Sequence, residues 1–88
     1  SLRLAYDVIE AGGTAGAIFN AANEAAVAGF LAEQIRFGEI VELVAEALSA
    51  VAVEPASSLD VIYEADRKAR QFVTDTIQSR AGRQPVSR

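Results

Sequence analysis

A chain of 88 residues makes one domain with room for a modest core, and a second domain is excluded. Cysteine and histidine are both absent, which excludes disulfides, thiolate metal sites and the usual zinc ligands, so any chemistry must run on carboxylates, Lys68 or hydroxyls. The net charge of -4 hides an asymmetry: residues 1–66 hold two basic and eleven acidic side chains, whereas residues 67–88 hold six and one.

A basic end can signal nucleic acid. Here no aromatic is interleaved among the arginines to stack a base. Arg80 and Arg83 also fall where a last helix ends and complement its dipole. No nucleic-acid partner is expected. No apolar run reaches membrane-spanning length without Asn, Glu or Arg interrupting it, so no membrane partner is expected either, and the chain reads as soluble and intracellular. There is no methionine, and the sequence opens directly on an amphipathic pattern; we expect a fragment of a longer protein, with an excised initiator methionine as the alternative.

Leu2 to Ala11 repeats apolar residues at helical spacing and meets Gly12-Gly13, a stop signal able to supply a left-handed cap. Thr14 is the expected N-cap of a second helix running to about Glu33. Its residues Ile18, Phe19, Ala22, Ala26, Val27, Phe30 and Leu31 leave hardly any face polar. Such a helix is central to the fold, and Phe30 is expected in the core. After the break at Ile35-Arg-Phe-Gly38, Glu39 to Val51 carries Ile40, Leu43, Val44, Ala47, Leu48 and Val51 on one stripe, with Glu39, Glu42 and Glu46 on the wet face. Ala52 to Ser58 is a connection. Ser57-Ser-Leu-Asp60 gives a capping pattern for a last helix that continues to about Ala81. Glu64 with Lys68 and Asp66 with Arg70 are spaced as i, i+4 pairs on its exposed face. Gly82 and Pro85 then end it. No segment alternates with period two. The expectation is an all-α fold, a small antiparallel four-helix bundle over residues 1–81, with 82–88 a frayed tail.

Within the second helix, Asn20, Asn23 and Glu24 fall at i, i+3 and i+4 and share one face. A polar stripe on an otherwise apolar helix needs partners, because a buried amide or carboxylate without one costs about 1–3 kcal/mol. Two sources of partners are open: a network inside the bundle, favoured for Asn20 and Asn23, and another domain, favoured for Glu24. No catalytic group accompanies them. Glu39, Glu42 and Glu46 lie on a solvated face where nothing separates their pKa values. A di-metal carboxylate bundle lacks its histidines. Ala11-Gly-Gly-Thr-Ala-Gly16 follows a helix instead of a strand and has no lysine after its glycines, so it reads as a helix–helix turn and not as a phosphate loop. No catalytic, cofactor or metal residue is assigned.

Leu2-Arg-Leu-Ala-Tyr6, Ala11-Gly-Gly-Thr14, Phe19-Asn-Ala-Ala-Asn-Glu24, Ala26-Val-Ala-Gly-Phe-Leu31 and Gln34-Ile-Arg-Phe37, in this order and spacing, resemble the C-terminal domain of the 1-deoxy-D-xylulose 5-phosphate reductoisomerases. Ser57-Ser-Leu-Asp60, Ala65-Asp66 and Ala69-Arg70 continue the resemblance, which covers roughly residues 1–72. It implies a parent enzyme of isoprenoid biosynthesis by the methylerythritol phosphate route, an oxidoreductase using NADPH and Mg or Mn in the bacterial cytoplasm, and homodimeric. The family's metal and substrate ligands belong to a central catalytic domain, so none is carried onto these residues and the fragment itself is expected to be inactive. The catalytic domain of the parent chain is the expected partner; a free-standing helical interaction module is the alternative. Where the family often has a hydroxyl residue after Ile-Arg-Phe, this chain has Gly38, a difference worth only a few tenths of a kcal/mol as an N-cap.

Overall fold

The computed structural model describes residues 2–83. They form four helices, α1 (Leu2–Ala11), α2 (Ala15–Leu31), α3 (Glu39–Ala50) and α4 (Leu59–Arg83), and no strand among the described residues. Gly12 and Gly13 end α1 with φ of 65° and 54°, the left-handed conformation that glycine adopts without a Cβ penalty.

The packed bundle has three helices. Among the residues whose burial is described, every fully enclosed apolar side chain of the core lies on α2, α3 or α4 or at the end of α3: Ile18, Leu43, Val44 and Val73 are the largest, surrounded by Ala21, Ala22, Ala26, Ala47 and Ala69. From α1, Leu4 packs on the core's edge, and α1 lies against α2. The expected four-helix bundle is therefore corrected to a three-helix core with a short helix attached. The reason lies in α2, whose inward face is built from small residues. Gly29 is so close to α4 that a Cβ there would lie 2.7 Å from Ile77 Cδ1. Such close approach lets α2 and α4 enclose the core with α3 alone.

Pairings along the helices fix their directions. Thr14 at the start of α2 borders the same cleft as Asp60 and Val61 at the start of α4, Glu24 meets Arg70, and Gly29 meets Ile77, so α2 and α4 run parallel. Arg80, late in α4, reaches Glu39 and Glu46 of α3, whereas Val51 at the other end of α3 borders the Thr14 cleft. Consequently α3 runs opposite to both.

Three local details differ from expectation. Thr14 makes no side-chain cap bond; instead its Oγ1 accepts the Glu54 N–H at 2.9 Å while its own N–H donates to the Glu54 carbonyl at 2.8 Å, clamping the 52–58 connection to the start of α2. Phe30 is half-buried at the core's edge, with its ring edge-on to Phe37 at 5.6 Å. At about 100° per residue, Gly29 and not Phe30 falls in line with Ile18 and Ala22. The α4 cap is Ser58, whose Oγ accepts the Val61 N–H at 3.3 Å, one residue later than the Ser57 pattern. Past its expected end, α4 continues through Gly82 to Arg83, and the remainder of the expected tail lies outside the described residues.

The end of α2 has a form that no glycine announces. Gln34 N–H donates to Gly29 O and Glu33 N–H to Phe30 O, both at 2.9 Å, which is a Schellman closure with Glu33 in the left-handed position at φ 63°. The chain then turns directly into α3. Arg36 N–H donates to Glu39 Oε1 at 2.7 Å, and Glu39 N–H donates back to Arg36 O at 3.0 Å. Gly38 already has helical dihedrals, φ -65° and ψ -19°, and offers no side-chain cap; the Glu39 carboxylate instead closes the turn on the Arg36 N–H.

Candidate interdomain surface

The outward face of α2 carries the polar stripe. Asn20 and Glu24 are exposed and Asn23 half-buried, so the stripe faces away from the core and carries little desolvation cost in this chain. Glu24 is tied inside the bundle: its Oε1 accepts Arg70 Nη2 at 2.8 Å, bridging α2 to α4. Arg70 also donates from Nε to Asp66 Oδ1 at 2.7 Å and from Nη2 to Asp66 Oδ2 at 3.3 Å. Asn20 Nδ2 reaches Glu24 Oε2 at 3.4 Å. Asn23 makes no side-chain hydrogen bond among the described residues. The distances thus join Asn20, Glu24, Arg70 and Asp66 into one chain of contacts and leave Asn23 beside it.

The hydrogen bond that Arg70 donates to Asp66, then the one it donates to Glu24, holds its guanidinium even more firmly protonated than usual. With 54% of the Glu24 side chain exposed, the ion pair contributes at most about 1 kcal/mol. It joins the α2 face to α4. Sequence spacing could not reveal the Glu24–Arg70 contact, since the partners are 46 residues apart; only Asp66 with Arg70 was legible as an i, i+4 pair.

Other charged pairs are structural. Arg80 Nη2 donates to both carboxylate oxygens of Glu46 at 3.0 Å and Nη1 lies 3.8 Å from Glu39, pinning late α4 to α3. Glu64 pairs with Arg67, at 3.2 Å from Nε and 2.6 Å from Nη2, instead of bonding Lys68. That hydrogen bond is the main cause holding the Glu64 carboxyl below its ordinary pKa.

The glycine-rich turn does not fit a nucleotide phosphate. The Thr14 N–H is taken by Glu54 O, the Ala15 N–H by Gly12 O, and the Glu54 backbone fills the space in front of Gly13. Among the described residues no three acidic side chains converge as a metal site. No helix among them is long and apolar enough to cross a membrane.

Residues 1–72 match the family described as the DXP reductoisomerase C-terminal domain. Among individual relatives, a 1-deoxy-D-xylulose 5-phosphate reductoisomerase of Ralstonia nicotianae is 51% identical over 70 residues, covering 80% of this chain and 18% of the relative. One of Ralstonia pickettii is 44% identical over 98% of this chain and 22% of its own length. Another, of Pseudomonas aeruginosa, is 44% identical over 92% of this chain and 20% of its own. The chain therefore spans about a fifth of the length of these relatives. On the family match over residues 1–72, and on a relative 51% identical over 80% of this chain, the chain belongs to the C-terminal domain family of the DXP reductoisomerases.

Proposed function

We propose that this chain is the structural, non-catalytic C-terminal domain of a 1-deoxy-D-xylulose 5-phosphate reductoisomerase, and that it buttresses the catalytic domain of its parent. The parent is a homodimeric oxidoreductase of the bacterial cytoplasm that makes 2-C-methyl-D-erythritol 4-phosphate for isoprenoid biosynthesis with NADPH and Mg or Mn. Those groups are held elsewhere in the parent. The observation that carries the reading is the outward face of α2, where Asn20, Asn23 and Glu24 lie inside the family-matched segment, with Glu24 bonded by Arg70 and Asn20 bonded to Glu24. Amides and a carboxylate on a helix face, with no nucleophile or base beside them, suit a fixed contact more than a reaction.

Deleting residues 1–88 from the full-length parent tests this. Loss of thermal stability together with activity is expected; a truncated enzyme as stable and as active as the intact one refutes the buttressing role. Asn23→Ala adds detail. It should change the isolated chain by less than about 0.5 kcal/mol, since the half-buried Asn23 makes no side-chain hydrogen bond among the described residues, while lowering the melting temperature of the full-length enzyme.

A further inference from the structure

The α2 face does not end at Glu24. At about 100° per residue, Asn20, Glu24 and Leu31 fall within a narrow sector of the helix, so the polar stripe runs straight into an exposed leucine. Leu31 is 72% exposed, Phe37 71% and Val41 44%, three large apolar side chains at the α2–α3 end of the bundle. Isolated exposed apolar residues are ordinary, but several together on one surface mark a contact.

Two observations show that this end is built. The turn between α2 and α3 is closed by four hydrogen bonds of 2.7–3.0 Å, through the left-handed Glu33 at one side and Glu39 at the other, so Phe37 is held outward by a rigid frame. A non-glycine residue in that conformation carries strain that the surrounding structure must offset. The Phe30 edge contact fixes the Phe37 ring. Beside it, Arg36 makes no ion pair among the described residues, and Arg with aromatic side chains is the composition that contact surfaces favour.

We infer that Leu31, Phe37 and Val41, with Arg36 at their rim, form the apolar anchor by which this domain docks onto the rest of its own parent chain, against an apolar surface that places a carboxylate opposite Arg36. This rests on the buttressing role proposed above. The occupant follows from length: the chain spans about a fifth of its relatives, so a body roughly four times its size belongs to the same polypeptide. The anchor lies wholly inside the family-matched residues 1–72, and Leu31 in it continues the polar stripe. A second apolar group, Val53, Leu59 and Tyr63, sits at the opposite end of the bundle without such continuity.

Leu31→Lys and Phe37→Lys, made singly in the full-length enzyme and in the isolated chain, test the anchor together with amide exchange of residues 36–41. Expected are a lower melting temperature for both full-length variants, an unchanged isolated Leu31→Lys chain, and exchange at 36–41 roughly tenfold slower in the full-length enzyme than in the isolated chain. Equal exchange in both settings, with Leu31→Lys harmless to the full-length enzyme, overturns the anchor. So does an isolated chain that dimerises and becomes monomeric on Leu31→Lys, since the occupant is then a second copy. The two claims fail separately: harmless deletion of the whole chain refutes buttressing, whereas harmful deletion with a harmless Leu31→Lys refutes only this surface.

Discussion

Thr14 separates two readings of the same residue. As an N-cap it should tolerate Asn or Ser, both at least as good in that position. The structure gives it a different task, with its side chain 1% exposed and its hydroxyl holding the Glu54 N–H. Thr14→Val keeps the shape and removes the acceptor. Because the bond is only partly buried, the cost should be in the lower half of the range for an orphaned donor, about 1–2 kcal/mol. For a domain of this size that is a fall in melting temperature of roughly 5–15 °C. Thr14→Ser keeps the hydroxyl and loses one buried methyl, about 0.8 kcal/mol. Thr14→Asn forces a larger amide into an enclosed site and should cost about 1–3 kcal/mol. Urea unfolding of the three variants, with amide exchange at Glu54, reads all of this. A Val variant as stable as wild type, or an Asn variant at least as stable, would refute the clamp and restore the cap.

Glu33→Gly should stabilise the chain by about 0.5–1 kcal/mol, relieving a left-handed residue at φ 63° against the extra chain entropy of glycine; a destabilised variant in urea contradicts the Schellman closure. Leu43→Ala, at a fully buried site, should cost about 2–5 kcal/mol and Phe30→Ala, half-buried, about 2 kcal/mol; the reverse order in denaturant midpoints would place Phe30 in the core after all. Glu64, with its pKa lowered, favours the folded state above the ordinary carboxylate pKa, and that contribution disappears as pH falls through the folded value. Arg67→Gln should therefore raise the Glu64 titration midpoint seen by NMR, and an unmoved midpoint would show that the hydrogen bond is not its cause.

Local signals carried most of the helical outline. The Gly12-Gly13 stop, the Ile40–Leu43–Val44–Ala47 stripe and the serine-opened last helix all reappear, because each depends on residues within one or two turns. What was not legible depends on distance. Thr14 meets Glu54 across 40 residues and Arg80 meets Glu46 across 34, and no spacing rule reaches that far. The number of helices in the core turned on how closely α2 and α4 approach, which the small residues of α2 permit without saying which neighbour uses them. Phe30 was misplaced for a related reason: in a helix apolar almost all round, periodicity cannot say which sector faces inward. Glu33 hides a helix stop because glycine or asparagine usually marks it. Of the candidate surface, the α2 stripe was legible from spacing, but Arg70 as its organiser and Phe37 as a held-out ring required the fold.

The central claim is that these 88 residues support a catalytic apparatus without holding any part of it. Calorimetric titration of the isolated chain with NADPH, in the presence and absence of Mn, tests this most directly. The account predicts no saturable heat in either titration. Saturable binding in the micromolar range would contradict it and place part of the cofactor site within the bundle.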